Sequence, residues 1–414
     1  MSDLALDGGT AARSRPDEPR TPLTGTQLYD DAEMTAVADV IRDRKLWRYH
    51  GWRTAEFERR FRDRFSAGDG RALAVNSGTN ALYLALAALD LPEGAEIIVP
   101  TFGFVAVATA ARAAGLVPRF VPVDAGLGLD PDHLDDHRGA RAVIAVHPYG
   151  APCDLDRIAA WAAGRGALLV EDVAQCLGGS FRGRGLGTFG VTAAFSFQHF
   201  KLLSTGEGGL VQSADPAHAD RVEAMHDAAA DWTIPATAER VPALRRAPLN
   251  LRMSELEAAV GLVQLDRVDG LIARLRAAQR HILEPVAGSA VATARPLADP
   301  DGDVGTSVIF HLPTRAAAEW ACQALLAEGL RASLLVDGAT SNRHWAGTWG
   351  PTLRRCGVDD VPASVLASDR SRLGGAVHIP VDVTHDDRDV EESRQAVAKV
   401  LAALEAGADA PRAR

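Results

Sequence analysis

Between residues 72 and 212, seven short apolar runs alternate with helical stretches rich in alanine and leucine. The runs fall at 72–75, 96–99, 117–123, 142–147, 168–171, 193–197 and 209–212. A strand that is apolar along its whole length is covered on both faces. A helix between two strands returns the chain to start the next strand in the same direction. The alternation therefore predicts an α/β fold, with a mainly parallel, seven-stranded sheet in a large domain. Ligands of such open sheets bind outside the carboxyl ends of the strands, so the polar residues that end the runs are the ones to weigh.

The flanking segments are predicted more simply. Residues 1–24, polar and rich in Gly, Pro and Arg, read as a flexible arm ahead of a large domain over 25–253. Helical spacing appears at 31–41 and at 54–65, where Phe57, Phe61 and Phe65 form one stripe that reads as core. Residues 213–250 are less regular. Ser254 and Glu257 then have the spacing of a capping box. They open a long amphipathic helix, which continues to about 277 and links, over 254–285, to a second domain. That smaller α+β domain is expected over 286–408, with an apolar stretch at 306–312, a helix at 315–329 and a last helix at 390–406. Residues 409–414 read as a tail.

Composition narrows the function classes. A net charge of −10 and a pI near 5.7 argue against nucleic acid or an anionic membrane as a main partner. Cys153, Cys176, Cys322 and Cys356 are widely spaced, with neither a disulfide framework nor a zinc pattern, and fit a reducing compartment. The first residues carry no basic segment followed by an apolar one, and no run of about 18 apolar residues occurs. The expectation is a cytoplasmic enzyme.

Its chemistry is expected around Lys201, which stands between apolar residues and ahead of the glycine run 206–209. Most lysines with apolar neighbours lay their stem along the surface. One that loses solvation has a lowered pKa and an amine able to attack a carbonyl. The second reading is favoured by Asp172, twenty-nine residues upstream at the end of a buried run. A nucleophilic lysine and a strand-end aspartate are what pyridoxal 5'-phosphate (PLP) requires, one as covalent partner and the other as counter-charge to the pyridinium nitrogen. Asn76-Ser77-Gly78-Thr79 follows the first run and opens a helix. A glycine there admits an anion close to the backbone, and a helix N-terminus attracts it.

Other motifs read more plainly. Residues 185–190 match G-x-G-x-x-G but precede a strand, so a nucleotide loop is not expected. Residues 206–209 read as a turn beside the site. His147 ends a run and is the histidine to follow, whereas His344-Trp345 reads as a packed or surface pair rather than a substrate contact.

Together these residues resemble the DegT/DnrJ/EryC1/StrS group of sugar and cyclitol aminotransferases, PLP enzymes of fold type I, from about residue 26 to 405. The resemblance is carried by Asn76 to Thr79, Val99-Pro100-Thr101-Phe102-Gly103-Phe104, Val146 to Gly150, Glu171 to Gln175, Phe195-Ser196-Phe197 with Lys201, Gly206 to Gly209, and Asn250 to Glu255. It implies that Lys201 bonds covalently to PLP, Asp172 pairs with the ring nitrogen and Gln175 bonds the ring hydroxyl. Gly78, Thr79 and Ser196 would hold the phosphate, and Phe104 would stack on the ring. Asn250 matches a residue that reaches the phosphate from the neighbouring subunit, which implies a homodimer with shared active sites.

The function so implied is transfer of an amino group from L-glutamate or L-glutamine to a keto-sugar, keto-cyclitol or related polyhydroxylated ketone. A branch of the group that removes a sugar hydroxyl has histidine where this chain has Lys201, which favours transamination. Two alternatives remain: a lyase resembling 3-amino-5-hydroxybenzoate synthase, and a non-catalytic PLP-binding partner. Gly103 and Leu251 depart from the usual threonine or serine and the usual aromatic, and both are expected to reshape the substrate pocket.

Overall fold

All seven predicted runs pair into one sheet in the computed structural model, which describes residues 4–17, 25–66, 70–228, 244–337 and 343–407. They are β1 (Arg71–Val75), β2 (Glu96–Pro100), β3 (Val117–Val121), β4 (Ala142–Val146) and β5 (Leu168–Asp172). After a small hairpin of β6 (Ser180–Phe181) and β7 (Arg184–Gly185) come β8 (Thr192–Ser196) and β9 (Gly209–Ser213). The order across the sheet is β1-β9-β8-β5-β4-β2-β3. The five strands from β8 to β3 run parallel, and β9 alone is reversed, pairing antiparallel with both β8 and β1.

Helices cover both faces. α1 (Asp31–Asp43) and α2 (Arg53–Phe65) precede the sheet, and α3 (Gly78–Ala87), α4 (Ala106–Ala113) and α5 (Leu155–Arg165) lie between strands. α6 (Pro216–His226) and the long α7 (Glu255–Ala287) follow it. Alternation along β5 separates the two cores: Leu169 packs with residues of α2, α5 and α7, and Val170 with those of α3 and α4. Phe57 and Phe61 are fully buried, and their rings meet Phe197 and Phe195 edge-on at 5.3 and 5.0 Å. Burial of each such ring stabilises the fold by about 2–3 kcal/mol.

The expected capping box forms, with Ser254 accepting from Glu257 N–H while the Glu257 carboxylate accepts from Ser254 N–H. Glu255 beside it, fully buried, reaches across to α2. Its carboxylate accepts from the backbone N–H groups of Trp52, Arg53 and Thr54, and from the Thr54 hydroxyl. A carboxylate on otherwise unpaired donors at a helix N-terminus locks the two helices together.

Beyond α7 a second sheet forms from β10 (Thr293–Ala294), β11 (Ser307–His311), β12 (Ser333–Leu334) and β13 (Ala376–Pro380), antiparallel throughout in the order β10-β11-β13-β12. It packs with α8 (Arg315–Ala327) and α11 (Asp387–Glu405), while α9 (Gly350–Arg355) and α10 (Ala363–Leu373) lie toward the central sheet.

Two expectations are corrected. Residues 4–17, read as part of a flexible arm, lie against the C-terminal sheet layer. Leu4 is buried there, Glu328 accepts the N–H groups of Ala5 and Ala12 at 2.8 Å, and Arg13 donates to Ser393 Oγ at 2.6 Å. Polar composition hides this docking because the partners are buried polar groups more than 300 residues away. The irregular stretch 213–250 contains α6, with Asp215 as N-cap and Pro216 in its first turn. Residues 229–243 of that stretch, and the expected tail 409–414, lie outside the described residues. All four cysteines are free. Among the described residues no helix is long and apolar enough to cross a membrane.

Candidate active site

A cavity of about 610 Å³ opens at the carboxyl ends of the central strands and is closed on its far side by residues of the C-terminal sheet. β5 delivers Asp172, and the residues after it bring Gln175. β8 delivers Ser196, followed by Lys201. The turn after β1 brings Gly78 and Thr79, and the loop after β2 brings Phe104. These seven residues, scattered over more than a hundred positions, line one space.

Asp172 is only 8% exposed, and burial raises its pKa. The N–H of Ala174, 3.0 Å from Oδ1, and the charges of Lys201 and His147 pull the other way. Lys201 is its counterpart: desolvation lowers the pKa of its amine, and the charge of Asp172 resists. Each group thus sits where its charged form lacks water, with the other as partial compensation. A cation bound against Asp172 removes the cost of ionising it, which suits a pyridinium nitrogen. The lowered pKa leaves more of Lys201 as free amine.

The expected phosphate cradle has a tight wall. A Cβ on Gly78 would come within 2.4 Å of Ser196 Cβ, so only glycine lets the start of α3 approach β8 this closely. Ser77 caps α3 by accepting from Asn80 N–H at 3.1 Å, while Gly78 and Thr79 head the helix, where N–H groups lack intrahelical acceptors. Gly209 is equally constrained, since a Cβ there would lie 2.4 Å from Ser77 O. The glycine run 206–209 is thereby a turn beside the cradle, and Glu207 within it faces the cavity.

His147 does not line the cavity. It is fully buried behind β5, with Nε2 3.3 Å from Glu171 Oε2 and Nδ1 accepting from Cys153 N–H at 3.3 Å. Glu171 also accepts from the N–H groups of Gly187, Phe189 and Gly190, at 2.8, 2.6 and 3.0 Å. The G-x-G-x-x-G run does wrap an anion, and that anion is the chain's own carboxylate.

The reading of His344-Trp345 needs revising. Trp345 is buried, its indole N–H on Asp369 at 3.0 Å, but His344 lines the cavity with Nδ1 3.0 Å from Gln175 Nε2. The segment is held by Gly103 N–H on His344 O and Ala346 N–H on Thr101 O, both at 2.8 Å. No local pattern announces such pairing. Burial, reinforced by the charge of Lys201, lowers the His344 pKa to about 4, and burial lowers His378, also on this wall, to about 3. Tyr149, from the Val146 to Gly150 motif, also lines the cavity, as do Ser307 and Arg343, which no motif marks. Asn250 is exposed and does not line this chain's cavity.

Residues 28–335 match the DegT/DnrJ/EryC1/StrS aminotransferase family. The chain belongs to that family. Among DegT/DnrJ/EryC1/StrS relatives, the GDP-perosamine synthase of Caulobacter vibrioides is 36% identical over 52% of this chain and 56% of its own length. The L-glutamine:2-deoxy-scyllo-inosose aminotransferase of Streptomyces kanamyceticus is 34% identical over 68% of this chain and 66% of its own. The matches thus span between just over half and just under two thirds of these relatives. A solved 3-amino-5-hydroxybenzoic acid synthase superposes with a TM-score of 0.79 at 25% identity, covering 94% of this chain and all of that one. The E coli GDP-4-keto-6-deoxy-D-mannose-3-dehydratase with bound hydrated PLP superposes at 0.78 over 92% of this chain and all of that one; at 20% identity this likeness concerns the fold.

Proposed function

We propose that the protein is a PLP-dependent aminotransferase, moving an amino group from L-glutamate or L-glutamine to a keto-sugar, keto-cyclitol or related polyhydroxylated ketone. The observation that carries this is the convergence of Lys201 and Asp172 on one cavity, each with its pKa displaced toward its neutral form. Family membership and the aminotransferase named above support the same reading.

PLP, when bound, supplies an electron sink for charge developing at the substrate carbon that bears nitrogen. This chain's residues would do the rest. Asp172 holds the ring nitrogen protonated, Gly78, Thr79 and Ser196 fix the phosphate, and Phe104 covers the ring. Lys201 Nζ takes the proton from the donor's Cα as base and returns one as acid, which suits an amine with a lowered pKa. Arg343, on the opposite wall and without an ion pair among the described residues, suits the donor's carboxylate. We place the enzyme in the cytoplasm, as a homodimer in which Asn250 serves the neighbouring site.

The test is spectroscopic. The PLP-loaded protein is yellow, and L-glutamate or L-glutamine alone bleaches it; colour unmoved by every amino donor contradicts the proposal. Screening the bleached form against nucleotide-linked keto-sugars, free keto-cyclitols and keto-octulosonates then names the acceptor. The likeness to 3-amino-5-hydroxybenzoate synthase keeps one alternative, a lyase, which product mass separates through loss of water without gain of amine.

A further inference from the structure

Gln175 is held from two sides. Tyr149, whose φ of 51° lies in the left-handed region, aims its backbone N–H at Gln175 Oε1, 2.9 Å away. That conformation costs about 1–3 kcal/mol in a non-glycine residue, so the surrounding structure enforces it. On the other side His344 Nδ1 lies 3.0 Å from Nε2. A backbone N–H can only donate, so the amide oxygen must be the atom facing Tyr149. Nε2 then faces His344, and Nδ1 must be the acceptor. Flipping the amide would place N–H against N–H at Tyr149 and oxygen against a lone pair at His344.

We propose that His344 is a positioning residue: as a neutral imidazole with a bare Nδ1 it takes one Gln175 amide N–H, leaving the other to donate to the cofactor's ring oxygen. This rests on the PLP reading above. A donor to that oxygen stabilises its anion and lowers its pKa, whereas the amide oxygen in the same place would repel it. The same residue steadies the ring's other neighbour, because its carbonyl accepts from Gly103 N–H at 2.8 Å, next to Phe104. The surroundings of the imidazole keep it neutral. Burial does most of this and the Lys201 charge adds to it, against a backbone hydrogen bond with Gly103 that pulls the other way. His378, its own pKa lowered to about 3, the Tyr149 ring at 5.7 Å and the Phe104 ring at 6.2 Å also face it. Protonated, His344 would set a second donor against Nε2.

Two variants separate positioning from bulk. His344→Asn keeps an acceptor where Nδ1 stood, and His344→Leu removes it while filling the space. In the PLP-loaded protein, the pH midpoint of the visible absorbance should rise by roughly one unit, tenfold in the equilibrium, in His344→Leu and stay near wild type in His344→Asn. An unmoved midpoint in His344→Leu, or equal shifts in both, overturns the proposal. A second measurement needs no cofactor and no leucine variant. With ¹⁵N-histidine labelling, the signals absent from His344→Asn identify His344 in the wild type. They should report proton-bearing Nε2 and bare Nδ1 from pH 8 to about 5. A proton on Nδ1 at neutral pH overturns it. Failure of the wild type to bind PLP would count against the functional reading, and the histidine signals would still decide this one.

Discussion

Burial displaces the titrations of Asp172 and Lys201 in opposite senses, raising the one and lowering the other, while the charge of each resists the other's shift. Asp172→Asn keeps the shape of the carboxylate and removes its charge. The ring nitrogen then loses its counter-ion, so PLP retention and the rate of the first half-reaction should both fall, the rate by about a hundredfold or more. Rapid-mixing absorbance after dialysis measures both; unchanged retention and rate would remove Asp172 from its assigned role. These two residues could be found in the sequence, Asp172 because it ends a buried run and Lys201 because it stands between apolar residues ahead of a glycine run, and Gly78 and Thr79 follow from the turn that opens a helix, while Gln175, Ser196 and Phe104 follow from the motifs that carry the family resemblance. His344 could not. Its partner lies 169 residues away, and its approach depends on backbone pairing with the loop after β2. His147 misled in the opposite direction, since a histidine at a strand end can as well point behind the sheet, where it meets Glu171.

At the scale of elements, the decisive geometry is the start of α3 pressed against the end of β8. Gly78→Ala would place a methyl group 2.4 Å from Ser196 Cβ, so helix and strand must part just where the phosphate is proposed to be held. The expected outcome is a PLP dissociation constant raised roughly tenfold or more, corresponding to loss of one or two charge-assisted hydrogen bonds, together with a lower melting temperature of the apoprotein, where the clash is already present. Fluorescence titration with PLP checks it, and wild-type affinity would show that the close approach is not used for binding. Strand and helix periods made most elements legible. α6 was missed because its short amphipathic pattern is weak, although Asp215-Pro216 marks its start. The role of Glu255 has no local signal, because the helix whose N–H groups it accepts from, α2, lies about 200 residues earlier in the chain.

For the whole molecule, the proposed dimer makes a claim that mixing can test. Lys201 lines the cavity of its own chain and Asn250 does not. If Asn250 serves the neighbouring site, a hybrid of Lys201→Ala and Asn250→Ala subunits contains one site with both residues intact and one with neither. Co-refolding the two weakened variants should then restore activity to about a quarter of wild type when subunits pair at random. No gain over the separate variants would place both residues in one subunit's site. Overall architecture was readable because alternating apolar runs dictate a covered sheet. The docking of residues 4–17 was not, since it rests on buried polar partners such as Glu328 and Ser393 that no periodicity reveals.

The central claim is a covalent bond between PLP and one lysine, and the chain makes it unusually easy to locate. It has only three lysines: Lys45, which is exposed, Lys399, which is paired with Glu328, and Lys201. Borohydride reduction of the yellow protein followed by peptide mass mapping should place the cofactor on the peptide bearing Lys201, with no label in Lys201→Ala. Label on Lys45 or Lys399, or a yellow protein that yields no labelled peptide, would contradict the account.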